Sequence, residues 1–370
     1  MSLARDILDR IFFPDRDVHA IPVLDGGFSP NTRLEEAATL AELASPDGVC
    51  IGGDGTVCVS TGNRVMAFRG GDLSQPRTFA ELDGAAGSLA ALPDGTILAA
   101  VAGRGVVALG PDGRAKAWLE RAGDAALACV TAIAVLDDGS VALTDGSRAN
   151  GPDAWLPDLM QKRRGSGRLV ICAGDLSGAR VVRDGLSWPA GVAPAPEAGR
   201  VLVTEAWSHR LLSVPLDGGR ETVLVKNFAG YPCRLARAAG GGTWVAFFAL
   251  RTQLTEFVLR ENAFRARMME SVPPELWIGP SLGGHFDYRE PTQIGRIKKL
   301  GIQKPWAPPR SYGLVARLDA AGDAIESLHS RVSGALHGIT DVAEQDGRLL
   351  LVSKGHGRLA AAELPRGALS

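Results

Sequence analysis

The sequence has almost no net charge and no long apolar run, and each absence excludes a class of protein. Its 370 residues include 40 Lys and Arg against 41 Asp and Glu, which gives a formal net charge of −1. Nucleic-acid-binding proteins usually present a clustered basic surface, so nucleic acid is not expected as a partner. No stretch reaches the ~20 apolar residues that span a bilayer, so no membrane partner is expected either.

The sequence also lacks a cysteine framework and a secretion signal. The five cysteines are odd in number and scattered, without the spacing typical of a zinc site or a CxxC redox pair. A disulfide-stapled fold is therefore not expected. Four charged side chains among the first ten residues interrupt the apolar stretch that a signal peptide requires. We expect a cytoplasmic protein, and a homo-oligomer is an open alternative.

Glycine, in contrast, is abundant: it accounts for 46 of the 370 residues, well above the usual ~7 %. A turn that ends in glycine and leads into an apolar run occurs six times, at Gly55, Gly95, Gly139, Gly199, Gly242 and Gly347. The intervals are 40, 44, 60, 43 and 105 residues, and a four-stranded propeller blade takes about 40 to 50. Short apolar segments flank every copy. The pattern predicts an all-β six-bladed β-propeller, and the alternative is a β-sandwich with coincidental Asp-Gly turns.

The expected domain is a single propeller over residues 41–370, preceded by a short N-terminal helix and an arm over residues 1–40. Residues 35–43 are predicted to supply the outer strand that fastens the last blade to the first. The two long intervals predict insertions at 145–168, a polar loop with a short helix, and at 257–311, a helical and irregular cap. A loop as long as the second insertion is typical of a lid over a binding site, and the alternative is an oligomer contact.

Two consecutive runs resemble a known family. The segment RDGLSWPAGVAPAPEAGRVLVTEAWSHRLLSVPLDG, followed by NFAGYPCRLARAAGGGTWVAFFALR, resembles the strictosidine synthase-like family. That family lies in the calcium-dependent phosphotriesterase superfamily, beside gluconolactonase, regucalcin and paraoxonase. The resemblance covers about residues 40–365. It implies a divergent, bacterial-type six-bladed propeller that acts on a small organic molecule.

The resemblance also implies a calcium site, but this sequence departs from its pattern. The metal-binding members place acid or amide side chains at positions that correspond here to Asp47, Thr131-Ala132, Ala190 and Cys233-Arg234. Only Asp47 keeps a carboxylate, whereas calcium takes six to eight oxygen ligands. We therefore expect no cofactor and no metal, with calcium at the superfamily position as the alternative. The catalytic glutamate of the plant strictosidine synthases falls at about Thr340, which cannot do carboxylate acid/base work.

Three residues near the predicted channel mouth are catalytic candidates. His337 has a side chain whose near-neutral pKa suits a general base, and the alternative is a structural histidine. Cys233 lies beside Arg234, and a neighbouring cation can lower the pKa of a thiol and make it a nucleophile. The alternative for Cys233 is an inert buried thiol. Glu205 matches an acid common in the family, where a structural role in the loop is equally open.

The candidates for substrate binding are polar or aromatic residues expected at the same mouth. They are Asp47, Thr131, Trp188, Trp207, His209, Tyr231, Arg234, His285, Tyr288, Trp306 and Thr340. If Arg234 points inward, it places positive charge where the metal would have been and could hold a substrate carboxylate. Lys354 and His356 end a strand of the last blade and could face either mouth.

Three functions remain open at this point. The first is metal-independent hydrolysis of an ester or lactone, which the superfamily resemblance implies. The second is a strictosidine-synthase-type condensation of an amine with an aldehyde, or related C–N lyase chemistry. The third is a small-ligand-binding propeller without catalysis, whose metal site has been lost. In all three the partner is a small molecule.

Overall fold

The computed structural model contains six four-stranded antiparallel sheets. It describes residues 20–365 without 70–72, 74, 163–164, 284–297, 300–301, 304–310 and 333. Each sheet is one blade of a six-bladed β-propeller, so the predicted fold class is confirmed. The innermost strands of neighbouring blades contact one another around a closed ring, including blade 6 against blade 1. This ring encloses the central channel.

The strands of each of the first three blades are consecutive in the chain. Blade 1 contains β2 (Pro46–Ile51), β3 (Val57–Thr61), β4 (Arg64–Arg69) and β5 (Gln75–Glu81). Blade 2 contains β6 (Ala86–Ala91), β7 (Ile97–Val101), β8 (Gly105–Leu109) and β9 (Ala115–Leu119). A small hairpin, β10 (Arg121–Ala122) and β11 (Ala125–Ala126), precedes blade 3. Blade 3 contains β12 (Val130–Val135), β13 (Val141–Asp145), β14 (Gly167–Cys172) and β15 (Arg180–Leu186).

The last three blades include the long insertion and the closure of the ring. Blade 4 contains β16 (Pro189–Pro194), β17 (Arg200–Glu205), β18 (Arg210–Pro215) and β19 (Thr222–Val225). Blade 5 contains β20 (Gly230–Arg237), β21 (Thr243–Leu250), β24 (Gly313–Leu318) and β25 (Ala324–Ser330), and its insertion carries the hairpin β22 (Lys298–Lys299) and β23 (Ile302–Gln303). Blade 6 contains β26 (Ile339–Gln345), β27 (Arg348–Ser353), β28 (Arg358–Glu363) and β1 (Ala38–Glu42).

The pairing of β1 with β28 closes the propeller. It joins a segment near residue 40 to the last strand of the final blade, which confirms the outer strand predicted within residues 35–43. The predicted N-terminal helix falls in residues 1–19, outside the described residues. The first described residues lead into two 3₁₀ turns, Gly26–Phe28 and Arg33–Glu36, that pack on β25.

The turns between the first two strands of the blades explain the glycine repeat. All six repeat glycines have φ between +74° and +84°, a region that residues with a Cβ rarely adopt. In the first copy, Asp54 Oδ1 accepts a hydrogen bond from Thr56 N at 3.0 Å, and Asp94 binds Thr96 N in the same way at 2.9 Å. Asp side chains that bind the backbone two residues later stabilise such turns.

The core lies between adjacent blades. Every residue of β3, β7, β8 and β13 is buried, because each of these strands has another blade on either side. Leu98 and Val106 of blade 2, for example, pack in one cluster with Val141 and Leu143 of blade 3. Close packing of this kind makes the interior rigid, and the innermost strands are held in a defined position around the channel.

In the described part of the chain, three α-helices lie in or directly before the two predicted insertions. In the first insertion, a 3₁₀ turn (Pro152–Ala154) leads into α1 (Trp155–Gln161). In the second, α2 (Gln253–Arg260) is followed by α3 (Asn262–Ser271) and a 3₁₀ turn (Pro274–Leu276). Helix α2 begins four residues before the predicted insertion, after Thr252, whose hydroxyl accepts a hydrogen bond from Thr255 N at 3.1 Å. Among the described residues, no helix combines the length and apolar character needed to cross a bilayer.

Candidate functional site

Six residues, one on the innermost strand of each blade, surround one mouth of the channel. They are Asp47, Gly87, Thr131, Ala190, Arg234 and Thr340. In all six strands the pairing with the second strand of the blade is irregular at this position. Such irregularities re-aim the neighbouring side chains. The bulges therefore present these six positions to a common cavity.

The cavity has a volume of about 780 Å³, including its open mouth. Its walls are largely apolar and come from Trp155, Trp188, Phe248 and Leu282. Trp155 packs edge-on against Phe248 with ring centroids 5.3 Å apart. Since Trp155 belongs to α1 and Leu282 follows the last 3₁₀ turn, both insertions reach the cavity. It is deep enough for a small organic molecule.

The guanidinium of Arg234 lines the floor of the cavity, where a second cavity begins deeper in the channel. Its Nε donates to the backbone oxygen of Thr131 at 2.8 Å, and its two terminal nitrogens donate to the backbone oxygen and to Oδ1 of Asp47. Nη1 also lies 3.8 Å from Asp341 Oδ2. Burial opposes the charged form, but the carboxylates of Asp47 and Asp341 outweigh it and raise the pKa of Arg234. Arg234 thus points inward as a permanent cation that is already paired, so a substrate carboxylate would compete with Asp47.

A second cation, Lys354, approaches Asp47 from the last blade. Its Nζ lies 2.7 Å from Asp47 Oδ2, and its side chain is 24 % exposed. The carboxylate of Asp47 raises the pKa of the Lys354 ammonium. Burial alone would raise the pKa of Asp47, but Arg234 and Lys354 hold it well below its usual range. Thr340 completes the contact by donating from Oγ1 to the backbone oxygen of Asp47 at 2.7 Å.

Asp341 lies next to this cluster on β26 and faces deeper into the channel. Its Oδ2 accepts from Val49 N at 3.0 Å, and its Oδ1 accepts from Val342 N at 2.9 Å. Burial raises the pKa of Asp341 to about 7, in spite of the opposing charge of Arg234 and the two backbone donors. The side chain therefore changes charge near neutral pH.

An Asp341→Asn substitution is expected to flatten the pH dependence of stability. The pKa of Asp341 is about 7 in the folded state, whereas an aspartate in an unfolded chain titrates near ~3.9. Between these values only the unfolded state ionises, so the free energy of unfolding falls as pH rises, by up to about 1.4 kcal/mol per pH unit. Urea denaturation of both proteins across this pH range measures the difference. Parallel pH profiles for the two proteins would contradict the raised pKa.

The side chains at the floor do not fit the calcium ion that the superfamily resemblance implies. Three of the oxygen atoms that could bind it, Asp47 O, Asp47 Oδ1 and Thr131 O, accept hydrogen bonds from Arg234, and Asp47 Oδ2 accepts one from Lys354. Ala190 offers no side-chain ligand. Within the described part of the chain, no group of three or more His, Cys, Asp or Glu side chains is placed to hold a metal.

Two of the catalytic candidates, Cys233 and Glu205, lie in surroundings that do not suit catalysis. Cys233 lines the cavity, but burial raises the pKa of its thiol to about 12 and outweighs the charge of Arg234. The lowered thiol pKa considered from the sequence is therefore wrong. Glu205 is buried outside the cavity lining, where Ser187 N donates to its Oε1 at 2.6 Å and Arg210 Nε donates to its Oε2. It fastens a loop of blade 4.

His337 also lies outside the cavity lining. Its Nε2 donates to the backbone oxygen of Arg331 at 2.7 Å, which leaves Nδ1 to accept from the Ser311 hydroxyl at 2.7 Å. Burial lowers the pKa of His337, and the ring of His356 packs 4.8 Å from it. With both nitrogens bonded, the imidazole connects blades 5 and 6 as a neutral structural group.

Of the aromatic candidates that the structure describes, only Trp188 lines the cavity, and the others lie behind its wall. Trp188 lines the cavity and stacks on Trp207, with centroids 5.1 Å apart. Trp207 donates from Nε1 to Asp158 Oδ1 at 2.8 Å and forms the layer behind the wall. Tyr231, stacked on Phe248 at 5.5 Å, and His209, 4.9 Å from the Tyr231 ring, belong to the same second layer. This layer supports the wall and does not line the cavity.

Three candidates, His285, Tyr288 and Trp306, lie outside the described residues. Two acids near the site were not predicted from the sequence: Asp341, which directly follows Thr340, and Asp153, which lines the cavity beside α1. An acid adjacent to a predicted channel position was the only available signal for Asp341. No sequence pattern marks Asp153, because it reaches the cavity from an insertion.

Comparisons with known proteins identify relatives in sequence and in structure. No family model matches the chain. The adipocyte plasma membrane-associated proteins of Mus musculus and Homo sapiens are each 26 % identical, over 356 and 352 residues, which cover 90 % of this chain and 79 % of theirs.

Solved structures resemble the chain at lower identity. A gluconolactonase from Xanthomonas campestris has a TM-score of 0.58 at 15 % identity, over 88 % of this chain and 89 % of its own. A calcium-binding regucalcin from Agrobacterium tumefaciens has a TM-score of 0.55 at 14 % identity, over 89 % and 93 %. These similarities confirm the propeller fold, and with the curated relatives they support the superfamily resemblance.

Proposed function

We propose that this propeller, which shares its fold with gluconolactonase and regucalcin, hydrolyses a small ester or lactone at the mouth of its channel without a metal ion. The observation that carries the proposal is the pair of cations, Arg234 and Lys354, fixed at the floor of an apolar cavity. The presence of a gluconolactonase among the similar structures supports this reaction class.

Lys354 is the group that would polarise the substrate carbonyl. An ammonium has three N–H donors, and the one bound to Asp47 Oδ2 leaves two for an oxygen atom in the cavity. Because the charge of Asp47 raises its pKa, Lys354 stays protonated at neutral pH. Cations placed where negative charge develops stabilise the tetrahedral intermediate of acyl transfer.

Among the described residues, two carboxylates line the cavity, and they suit different roles. Asp47 has both oxygens bonded to cations and a depressed pKa, so it is a weak base that orients Lys354. Asp153 lies on the rim and its charge acts on Lys354. In the proposed reaction, water attacks the carbonyl carbon while Asp153 accepts its proton. The ester C–O bond then breaks, and the leaving oxygen takes that proton.

The walls indicate the kind of substrate. Trp155, Trp188 and Phe248 present flat apolar surfaces above the two cations. Such surfaces bind aromatic or aliphatic groups by removing them from water. The cavity therefore favours an ester or lactone with an apolar body over a heavily hydroxylated one.

A Lys354→Met substitution is expected to lower kcat/KM by about 10²–10³-fold, the usual cost of losing one donor to the oxyanion. Methionine keeps the length of the side chain and removes the charge. A panel of aryl esters and lactones with the purified protein measures the effect, and Lys226→Met on the exposed surface is the matched control. The proposal fails if the wild-type protein turns over no member of the panel, or if Lys354→Met keeps full activity.

A binding protein without catalysis is the second candidate. It is favoured by the protonated thiol of Cys233 and by the fully bonded side chains of His337 and Glu205. Trp188 lines the cavity, so its fluorescence should respond to a bound aromatic ester analogue. Saturable quenching by such an analogue, together with no turnover on the panel, would support this candidate over the hydrolase.

A further inference from the structure

The guanidinium of Arg234 lies in a cradle of oxygen atoms from three other blades. Thr131 O of blade 3 accepts from Nε at 2.8 Å, and Asp47 O and Oδ1 of blade 1 accept from the terminal nitrogens. Asp341 Oδ2 of blade 6 lies 3.8 Å from Nη1. All four atoms therefore already face one positive charge. We call this set the oxygen cradle.

The chemistry of the oxygen cradle matches a hard divalent cation. It consists of two carboxylate and two carbonyl oxygens, which are the ligand types that calcium prefers. Further ligands would be water, since Arg234 also lines a second cavity of about 610 Å³ deeper in the channel. Water could therefore reach the cradle from both sides.

The backbone around Arg234 fixes the charge in place. A Cβ at Gly191 of blade 4 would lie 2.2 Å from Cys233 O and 2.9 Å from Arg234 Cα. Only glycine permits this close approach, so β16 packs directly against the backbone of β20 at Cys233 and Arg234. Thr340, which donates to Asp47 O, holds the opposite side of the cradle.

We propose that Arg234 is a built-in cation that takes the place of a divalent metal ion in the oxygen cradle, and that a smaller neutral residue at this position converts the cradle into a calcium site. In the wild-type protein the guanidinium neutralises Asp47, joins the blades and excludes metal. Without it, Asp47 keeps only Lys354 as an ion-pair partner and Asp341 loses the guanidinium that lies 3.8 Å from it, so a divalent ion would supply the missing positive charge.

The test compares the full chain with its Arg234→Ala and Arg234→Ser variants. Melting temperatures are measured in EDTA and in about 10 mM Ca²⁺, above the ~10⁻³ M dissociation constants of weak calcium sites. Arg234→Lys, which keeps a positive charge, is the control. Terbium luminescence excited through tryptophan reports binding directly, because Trp188 lines the same cavity. Neither readout depends on ester hydrolysis, so the proposed function and this inference can fail separately.

Calcium is expected to leave the melting temperature of the wild-type protein unchanged, and likewise that of Arg234→Lys. The neutral variants should melt lower in EDTA and regain a few degrees in calcium, since a ligand that binds only the folded state stabilises it. Adding Asp341→Asn to Arg234→Ala should abolish the gain. The inference is overturned if calcium stabilises the wild-type protein equally or leaves the neutral variants unchanged. Failure of both neutral variants to fold with calcium present would overturn it as well.

Discussion

Replacing Asp153 by asparagine is expected to lower kcat for ester or lactone hydrolysis by about 10²–10⁴-fold, the range for losing a general base. Asp153 lines the cavity and acts electrostatically on Lys354, whereas the other lining carboxylate, Asp47, has both oxygens bonded to cations. Asparagine keeps the size of the side chain, so KM should change little. Steady-state kinetics on the best substrate of the panel separate the two parameters.

The control for this variant is Asp124→Asn, a substitution of an exposed aspartate in the turn between β10 and β11. It should leave kcat and KM unchanged. A loss of kcat confined to Asp153→Asn would assign the proton transfer to that side chain. If KM rises and kcat is retained, Asp153 holds the substrate instead, and another group must accept the proton from water.

Replacing Arg168 by methionine is expected to cost about 3–5 kcal/mol of stability, the usual penalty for breaking a buried ion pair from one side. Arg168 and Asp145 are 0 % and 1 % exposed, with Nη2 2.5 Å from Oδ2. Arg168 also donates to the backbone oxygens of Ala122 at 3.1 Å and Ala126 at 2.7 Å. Methionine would leave a carboxylate and two carbonyls buried without these donors. Urea denaturation gives the free energy of unfolding.

Arg237→Met is the matched control, because the Arg237–Asp137 pair is exposed on both sides. Exposed pairs contribute only about 0–1 kcal/mol. The double variant Arg168→Met with Asp145→Asn should recover part of the loss, since it removes the stranded charge. Equal costs for Arg168→Met and Arg237→Met would show that burial does not determine the contribution of the Arg168 pair.

Two clusters of buried charged groups have different roles. The Arg168–Asp145 pair fastens the hairpin before blade 3 and lies outside the cavity lining. The Arg234, Asp47 and Lys354 cluster has the same ingredients but opens onto the cavity. Of these two clusters, only the second can contact a ligand in the cavity.

The sequence by itself determined the architecture. Turns that end in glycine and short apolar runs act over a few residues, so six copies of one local pattern were enough to predict six blades. The closing strand was predicted at residues 35–43. The candidates Asp47, Thr131, Arg234 and Thr340 could likewise be placed near one mouth, because each belongs to the innermost strand of a blade.

Only the tertiary structure decided which side chains meet in the site. Arg234 and Lys354 are 187 and 307 residues from Asp47 in the chain, and they converge because the ring closes. A change of one residue in register turns a strand side chain to the opposite face, and the bulge at each channel position sets that register. Burial likewise determined the outcome for Cys233 and His337, since desolvation and hydrogen-bond partners, rather than sequence neighbours, set their pKa values.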